Sequence, residues 1–288
     1  MNENNLAYLA GYTDGDGCFY LGRVGKKFRN SFIISSSNPE ILHELQSIYT
    51  GRVSIRQSSS SVQKPWGQWT ITGIRAKEIA QKMSGFLIQR KKECHIFLNF
   101  LENTLPKKRL ELIESLKAAR KEDLVNRQDL INLKTIKAQI SPINFDYVYL
   151  AGFIDAECCL TVQRDLPKGK PNPVFKIIIR LNDTRSTIFY WLVSKFGGSV
   201  SWMNKAKGSN PQLIWMLRGK KAYEVLQRIV PFLKYKRPVA LKLIEFYKTT
   251  LPNGGDRHTQ AFRDAYSIVL VKREKMVQDI RQLNHKGL

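Results

Sequence analysis

The chain has 288 residues, 43% of them hydrophobic and 25% charged, a balance that suits folded material and excludes a disordered chain. A formal net charge of +23 points to an anionic partner, either nucleic acid or an anionic membrane. No apolar run reaches the length of a membrane span, and Met1-Asn2-Glu3-Asn4-Asn5 reads as neither a basic signal start nor an Arg-rich transit segment, so nucleic acid is favoured. Cys18, Cys94, Cys158 and Cys159, with His43, His95, His258 and His285, form no zinc-type spacing, and reduced thiols in an intracellular compartment are expected.

In chain order, residues 6–19 read LAYLAGYTDGDGCF and residues 147–160 read YVYLAGFIDAECCL. Leu9-Ala10-Gly11 recurs as Leu150-Ala151-Gly152 at an offset of 141, followed by Asp14 and Asp155 and then by Asp16 and Glu157. Each copy predicts a short helix with an apolar stripe (Leu6, Leu9, Ala10 and Thr13 in the first), and Gly15 and Gly17 end the first copy. The acids then lie at a helix C-terminus, beside unpaired carbonyls and the negative pole of the macrodipole. A hard divalent cation would relieve that conflict, because it takes carboxylate and carbonyl oxygens. Residues two apart on a helix point in different directions, so the two acids of each copy are assigned different tasks. The earlier one bonds within or across the helix end, and the later one projects beyond it. Packing through Ala10, Gly11, Ala151 and Gly152 would bring Asp16 and Glu157 together near a pseudo-two-fold axis.

This doubled motif resembles the signature of the LAGLIDADG homing endonucleases, in the single-chain form with two motifs. The resemblance implies that Asp16 and Glu157 are catalytic and hold magnesium (with manganese or calcium able to substitute for binding), and that Gly15 and Ala156 offer backbone carbonyls to it. One departure is Cys158, which stands where the first copy has Gly17. A non-glycine resists positive φ, so the turn and metal geometry of the second copy are expected to differ.

Past the first motif, a strand is predicted over Cys18 to Val24, then a basic loop with Lys26, Lys27 and Arg29, then alternation from Ser31 to Ser35 with Phe32 and Ile34 on one face. Asn38-Pro39 starts a helix carrying Ile41, Leu42, Leu45 and Ile48. Arg52 to Arg56 and Trp66 to Thr72 read as strands around a serine run, and helical patterns cover Ala76 to Met83 and Arg90 to Leu105. Residues 106–145 read as a linker containing an amphipathic helix (Leu110, Ile113, Leu116), solvated on the outside.

From 146 to 288 the order repeats. Thr161, Gln163, Lys176, Ile178 and Arg180 alternate with Leu160, Val162, Ile177, Ile179 and Leu181. Asn182 or Asp183 is expected to cap a helix ending at Gly197-Gly198, with strands over Val200 to Asn204 and Gln212 to Arg218. The offset is now 146: Trp69 matches Trp215, Gly73 matches Gly219, Phe86-Leu87 matches Phe232-Leu233, and Thr104-Leu105-Pro106 matches Thr250-Leu251-Pro252. A longer loop at Asp165 to Pro173 accounts for the five-residue growth.

The expected fold class is α+β, with two pseudo-symmetric αββαββα units (1–105 and 146–288). Each would be a four-stranded antiparallel sheet backed by helices, joined by the helical linker and packed through the motif helices. Net charge is +5 in the first unit, +4 in the linker and +14 in the second unit, which should hold phosphate backbone harder.

The resemblance further implies a saddle of two sheets over double-stranded DNA, bound by a monomer. It implies cleavage of opposite strands across the minor groove with 3′ overhangs, and a basic position that falls on Lys236 and, by repeat, on Arg90. A β-ribbon fits the major groove, where all four base pairs are distinguishable. The alternation nominates Tyr20, Ser31, Ser35, Arg56, Gln68 and Thr70 as DNA contacts in the first unit, with Lys26, Lys27 and Arg29. In the second unit it nominates Thr161, Gln163, Lys176, Arg180, Ser201 and Gln212, with Lys168, Lys170, Lys205 and Lys207. The same family contains maturases, so intron RNA is a second expected partner, and a non-cutting DNA-binding regulator is a third reading. An organelle or a bacterial cytoplasm fits as the compartment.

Overall fold

The computed structural model of the protein describes residues 2–56, 66–136, 141–169, 172–203, 210–249 and 259–286. The motif helices α1 (Glu3–Asp16) and α7 (Asn144–Glu157) lie side by side at the centre of the molecule. Residues Leu6 to Gly15 of α1 and Val148 to Asp155 of α7 are buried without interruption. Each helix is therefore enclosed on every side, rather than along the single stripe expected, because a sister helix covers the face that its own unit leaves open.

Small residues set how near the two helices come. A Cβ added at Gly11 would stand 2.0 Å from the Tyr149 carbonyl oxygen, and one added at Gly152 would stand 2.0 Å from that of Tyr8. The backbones are in contact where each motif places its glycine.

Around this pair the first unit supplies β1 (Gly17–Val24), β2 (Lys27–Ser36), α2 (Pro39–Tyr49), β3 (Arg52–Arg56), β4 (Trp66–Ile71), α3 (Gly73–Met83) and α4 (Lys91–Glu102). The second unit supplies β5 (Cys159–Asp165), β6 (Val174–Asp183), α8 (Thr187–Phe196), β7 (Ser199–Met203), β8 (Gln212–Arg218), α9 (Gly219–Ile229), α10 (Arg237–Lys248) and α11 (Gln260–Lys286). Both sheets are four-stranded and antiparallel, in the orders β1-β2-β4-β3 and β5-β6-β8-β7. The fold class is the one expected. Their inner faces are apolar: Phe19, Phe32, Ile34 and Trp69 in one, and Leu160, Ile179, Leu181 and Trp215 in the other, are fully buried. The Trp69 indole donates to the Thr50 carbonyl, and Trp215 donates to Gly197, so the matched tryptophans tie matched corners.

Several elements depart from the sequence reading. Lys27 and Arg29 lie within β2, and only Lys26 remains in the turn, because Gly25 takes a positive φ of 58° and closes a two-residue connection. In α2 the inward position belongs to Tyr49, whose hydroxyl donates to the Asn5 carbonyl, while Ile48 is exposed.

Neither Asn182 nor Asp183 caps α8. Strand β6 runs through both, and Asp123 of the linker accepts from the Thr187 N–H and from the Ser186 and Thr187 hydroxyls instead. The linker itself forms two helices, α5 (Pro106–Glu122) and α6 (Arg127–Thr135), and is more than a solvated strut. Leu112, Ile113, Leu116 and Ala119 are buried, with α5 against α4 and α6 against the second sheet. Helix α11, which the sequence reading did not anticipate, buries Met276, Val277 and Ile280 against α10 and β5.

The seam should be intolerant of a single methyl. Gly11→Ala drives a Cβ into backbone that has nowhere to move, so it should cost at least about 1–3 kcal/mol. Urea denaturation checks this against Gly85→Ala, where a Cβ meets nothing within 4 Å and stability should be unchanged.

Candidate active site at the helix seam

The earlier acid of each motif is fully sequestered, with relative exposures of 0% for Asp14 and 1% for Asp155. Asp14 accepts from the backbone N–H groups of Ile88 (2.7 Å), Gln89 (3.0 Å) and Arg90 (2.7 Å). Asp155 accepts from those of Lys234 (2.8 Å), Tyr235 (3.2 Å) and Lys236 (2.6 Å). A fourth donor crosses the seam in each case. The Tyr149 hydroxyl donates to Asp14 at 2.5 Å, and the Tyr8 hydroxyl donates to Asp155 at 2.7 Å. Burial pushes both carboxyls up from their ordinary value, and these donors pull against it by favouring the charged form. The expected division of labour holds: the first acid organises the helix end.

What it organises is the turn leading into α4 or α10, whose N-cap residues are Arg90 and Lys236. From there Arg90 returns to α1, its Nε donating to the Thr13 carbonyl at 2.9 Å and its Nη2 to that of Gly15 at 3.2 Å. Lys236 returns to α7, its Nζ donating to the Ile154 carbonyl at 2.7 Å. Thr13 and Ile154 are matched repeat positions, so a cation caps the C-terminus of each motif helix where the macrodipole favours it. Arg90 also meets Glu93, which accepts from Arg185 of the second unit (2.7 Å) and Arg120 of the linker (3.2 Å). Burial alone would raise the Glu93 carboxyl, but the surrounding guanidiniums outweigh it and hold it below its ordinary value. The matched position in the second unit is Val239, so this knot is one-sided.

The later acids, Asp16 and Glu157, meet where α1 and α7 end side by side, with Gly15 of one helix against the Ala156 and Glu157 side chains of the other. Burial, and next the neighbouring Glu157 charge, push Asp16 up to about 7, with Lys236 and Arg90 opposing. Glu157 is also raised, by loss of solvent and then by Asp183, which sits at the end of β6 and accepts from Gln89 Nε2 at 3.3 Å. Glu157 is exposed at the mouth while protein crowds its inner side, which reconciles its open surface with that rise.

These residues fit a divalent metal by the chemistry of their donors. Two carboxylates press together although the Glu157 charge raises the cost of ionising Asp16, and Mg2+ is usually held by one or two carboxylates, with waters and substrate phosphates completing its shell. Among the described residues no group of three or more His, Cys, Asp or Glu is arranged to hold an ion by itself. Of the two backbone donors that the resemblance implies, Gly15 already accepts from Arg90. The expected distortion at Cys158 is absent. Gly17 has φ −83° and Cys158 has φ −85°, so both copies end in extended backbone that any residue adopts. The ground for treating the second motif as impaired is therefore removed.

The nominated DNA contacts share one face. Cross-strand pairs Tyr20 with Ser31, Ser35 with Gln68 and Arg56 with Trp66 align on the outer side of the first sheet; Gln163 with Lys176 and Gln212 with Met203 do so on the second. Thr70, Thr161, Arg180 and Ser201 fall on these same sides. Ser31 and Ile178 are nevertheless buried there, at 9% and 4% exposure. Arg52, Ser54 and Arg218 also lie on these faces, and the period-two alternation running back from Arg56 would have found the first two. Lys168 lies in the turn after β5, and Lys170, Lys205 and Lys207 lie outside the described residues.

No protein-family model matches the sequence, and no curated protein does. Solved structures do match. One is the I-SmaMI LAGLIDADG homing endonuclease bound to cleaved DNA, at a TM-score of 0.63 and 16% identity, covering 100% of this chain and 98% of that one. The chain has the LAGLIDADG homing-endonuclease fold. A second such structure, I-AabMI bound to uncleaved DNA, matches at a TM-score of 0.60 and 18% identity over 98% of both chains. A third, I-LtrWI bound to target DNA, matches at 0.58 and 18% over 94% of this chain and 98% of that one. The LAGLIDADG fold thus extends across both units and the linker.

The acid pair carries a pH signature with a definite sign. Asp16 ionises near 3.8 in an unfolded chain and near 7 in the folded one, facing Glu157, Lys236 and Arg90. Between those values the folded state binds the proton more tightly, so this group's contribution to stability falls as pH rises through the window. In chelator-treated protein the unfolding free energy of wild type relative to Asp16→Asn should therefore decline from pH 4 to pH 7, measured by urea titration. A flat difference would contradict the crowding of the pair.

Proposed function

We propose that the protein is a metal-dependent endonuclease that hydrolyses phosphodiesters on both strands of double-stranded DNA. Its site would be long and partly asymmetric, with the strands cut across the minor groove to leave 3′ overhangs. The observation that carries this reading is the meeting of Asp16 and Glu157 at the C-terminal ends of α1 and α7, flanked by Arg90 and Lys236. The two polar sheet faces, the charge of +23 and the DNA-bound state of the solved structures with this fold support it.

Asp16 and Glu157 would hold the divalent ion, magnesium in the first instance, with the Ala156 carbonyl and the remaining lone pair of Gly15 as further oxygen donors. When bound, such an ion lowers the pKa of attacking water and offsets charge on the leaving oxygen. Lys236, with its ammonium beside both acids, is suited to offset transition-state charge and to orient water. Arg90, a permanent cation already engaged by two carbonyls, is suited to binding charge and is a poor base. The outer sheet faces lie along the grooves, base edges supply discrimination, and the second unit's +14 clamps phosphates.

The test starts from sites selected for cleavage from a randomised DNA library in Mg2+. On a selected site, Asp16→Asn or Glu157→Gln should abolish cutting while retaining DNA binding; a variant that cuts at the wild-type rate removes that acid from the site. Neutralising about ten phosphates would make log affinity fall against log salt with a slope near −9, and a nearly flat dependence would contradict the basic saddle.

A further inference from the structure

Each buried motif acid has a hydrogen-bond donor from the opposite unit, and nothing in the hydrolytic chemistry above uses it. The Tyr149 hydroxyl of α7 reaches Asp14 of α1, and the Tyr8 hydroxyl of α1 reaches Asp155 of α7. Both phenols are buried and their pKa values are raised well above the ordinary one, chiefly by burial, so both remain protonated donors at any working pH. The acids they touch hold the backbone N–H groups of Arg90 and Lys236, the residues whose side chains reach back to the helix ends.

Two unbroken chains of contacts result. One runs from Tyr8 through Asp155 to the turn at Lys234 to Lys236, and the other from Tyr149 through Asp14 to the turn at Ile88 to Arg90. Each starts in one unit and ends on the basic residue of the other.

We propose that Tyr8 and Tyr149 are positioning residues acting in trans across the seam, Tyr8 setting Lys236 and Tyr149 setting Arg90, so that the strand-cutting competence of each unit depends on the other. This rests on the endonuclease reading for its consequence, though not for its geometry. The pseudo-two-fold relating Arg90 to Lys236 would also relate the two strands of a bound duplex, so each cation serves one scissile phosphate. Removing one hydroxyl loosens one carboxylate, and the effect falls on one strand. A tyrosine that merely stabilised the seam would slow both strands alike.

The experiment is single-turnover cleavage of a selected site, with each strand labelled separately, using Tyr8→Phe and Tyr149→Phe, which keep the buried rings. Each variant should slow one strand roughly ten- to hundredfold, the strand differing between variants, and nicked plasmid should accumulate before linear. The effect of Tyr8→Phe should vanish in a Lys236→Met background and persist in an Arg90→Met one, as expected of residues acting through one another. Equal slowing of both strands, or undiminished additivity with Lys236→Met, overturns the proposal.

If wild type cuts no selected site, the endonuclease reading fails, and the proposal is judged on the protein alone by backbone amide NMR. Tyr8→Phe should shift the Lys236 amide and leave that of Arg90 in place, with Tyr149→Phe doing the reverse. Shifts at both amides in each variant, or at neither, overturn it. Should either phenylalanine variant fail to fold, 4-aminophenylalanine at the same position retains a donor and should restore both the amide position and the strand balance; restored folding without that balance overturns the proposal.

Discussion

The backbones of α1 and α7 touch at Gly11 and Gly152, and the remaining architecture follows from that contact. Two helices in such contact must end side by side, and whatever the sequence places in their last turns is forced together. Here those turns carry four acids at the pole least hospitable to negative charge. The fold answers each pair differently. Asp14 and Asp155 are buried and given four donors apiece, so their charge is spent on holding loops. Asp16 and Glu157 are left facing each other, opposed only in part by the charges of Lys236 and Arg90. That second arrangement makes little sense for stability and good sense for holding an ion.

The symmetry is close in the backbone and broken in the side chains. Arg90 stands for Lys236, Gln89 for Tyr235, and the Glu93 knot of arginines has only Val239 opposite. Asp183 crowds Glu157 from the second unit alone. On the proposed reading, two unlike sheets suit two unlike half-sites, and the same inequality reaches the centre. The knot on Glu93 also explains why the linker is no passive tether, since Arg120 and Asp123 reach into the first and second units respectively.

The motif helices, eight strands and their polar faces were legible because they rest on local rules: a repeated glycine, period-two alternation, and an asparagine before proline. The helix cap from Asp123 was not, because the residues that could have capped α8 themselves were drawn into β6, and an acceptor 64 residues away took their place. Helix α11 escaped notice because its buried face (Met276, Val277, Ile280) is short against its 27 residues and much of the rest is exposed. The worry over Cys158 came from assuming that Gly17 supplies positive φ, which it does not. Tyr8 and Tyr149 were in plain sight inside the repeat, at the same offset of 141 as the acids, yet a hydroxyl that crosses an interface leaves no mark on either helix's own periodicity.

The central claim is that the carboxylates brought together at the seam share a divalent ion. Crystals of the protein with a selected DNA site, grown in Mn2+ and measured for anomalous scattering, test it most directly. The account predicts a manganese peak in contact with both Asp16 and Glu157. Manganese bound elsewhere, with those two carboxyls bare or joined only to each other, would contradict it.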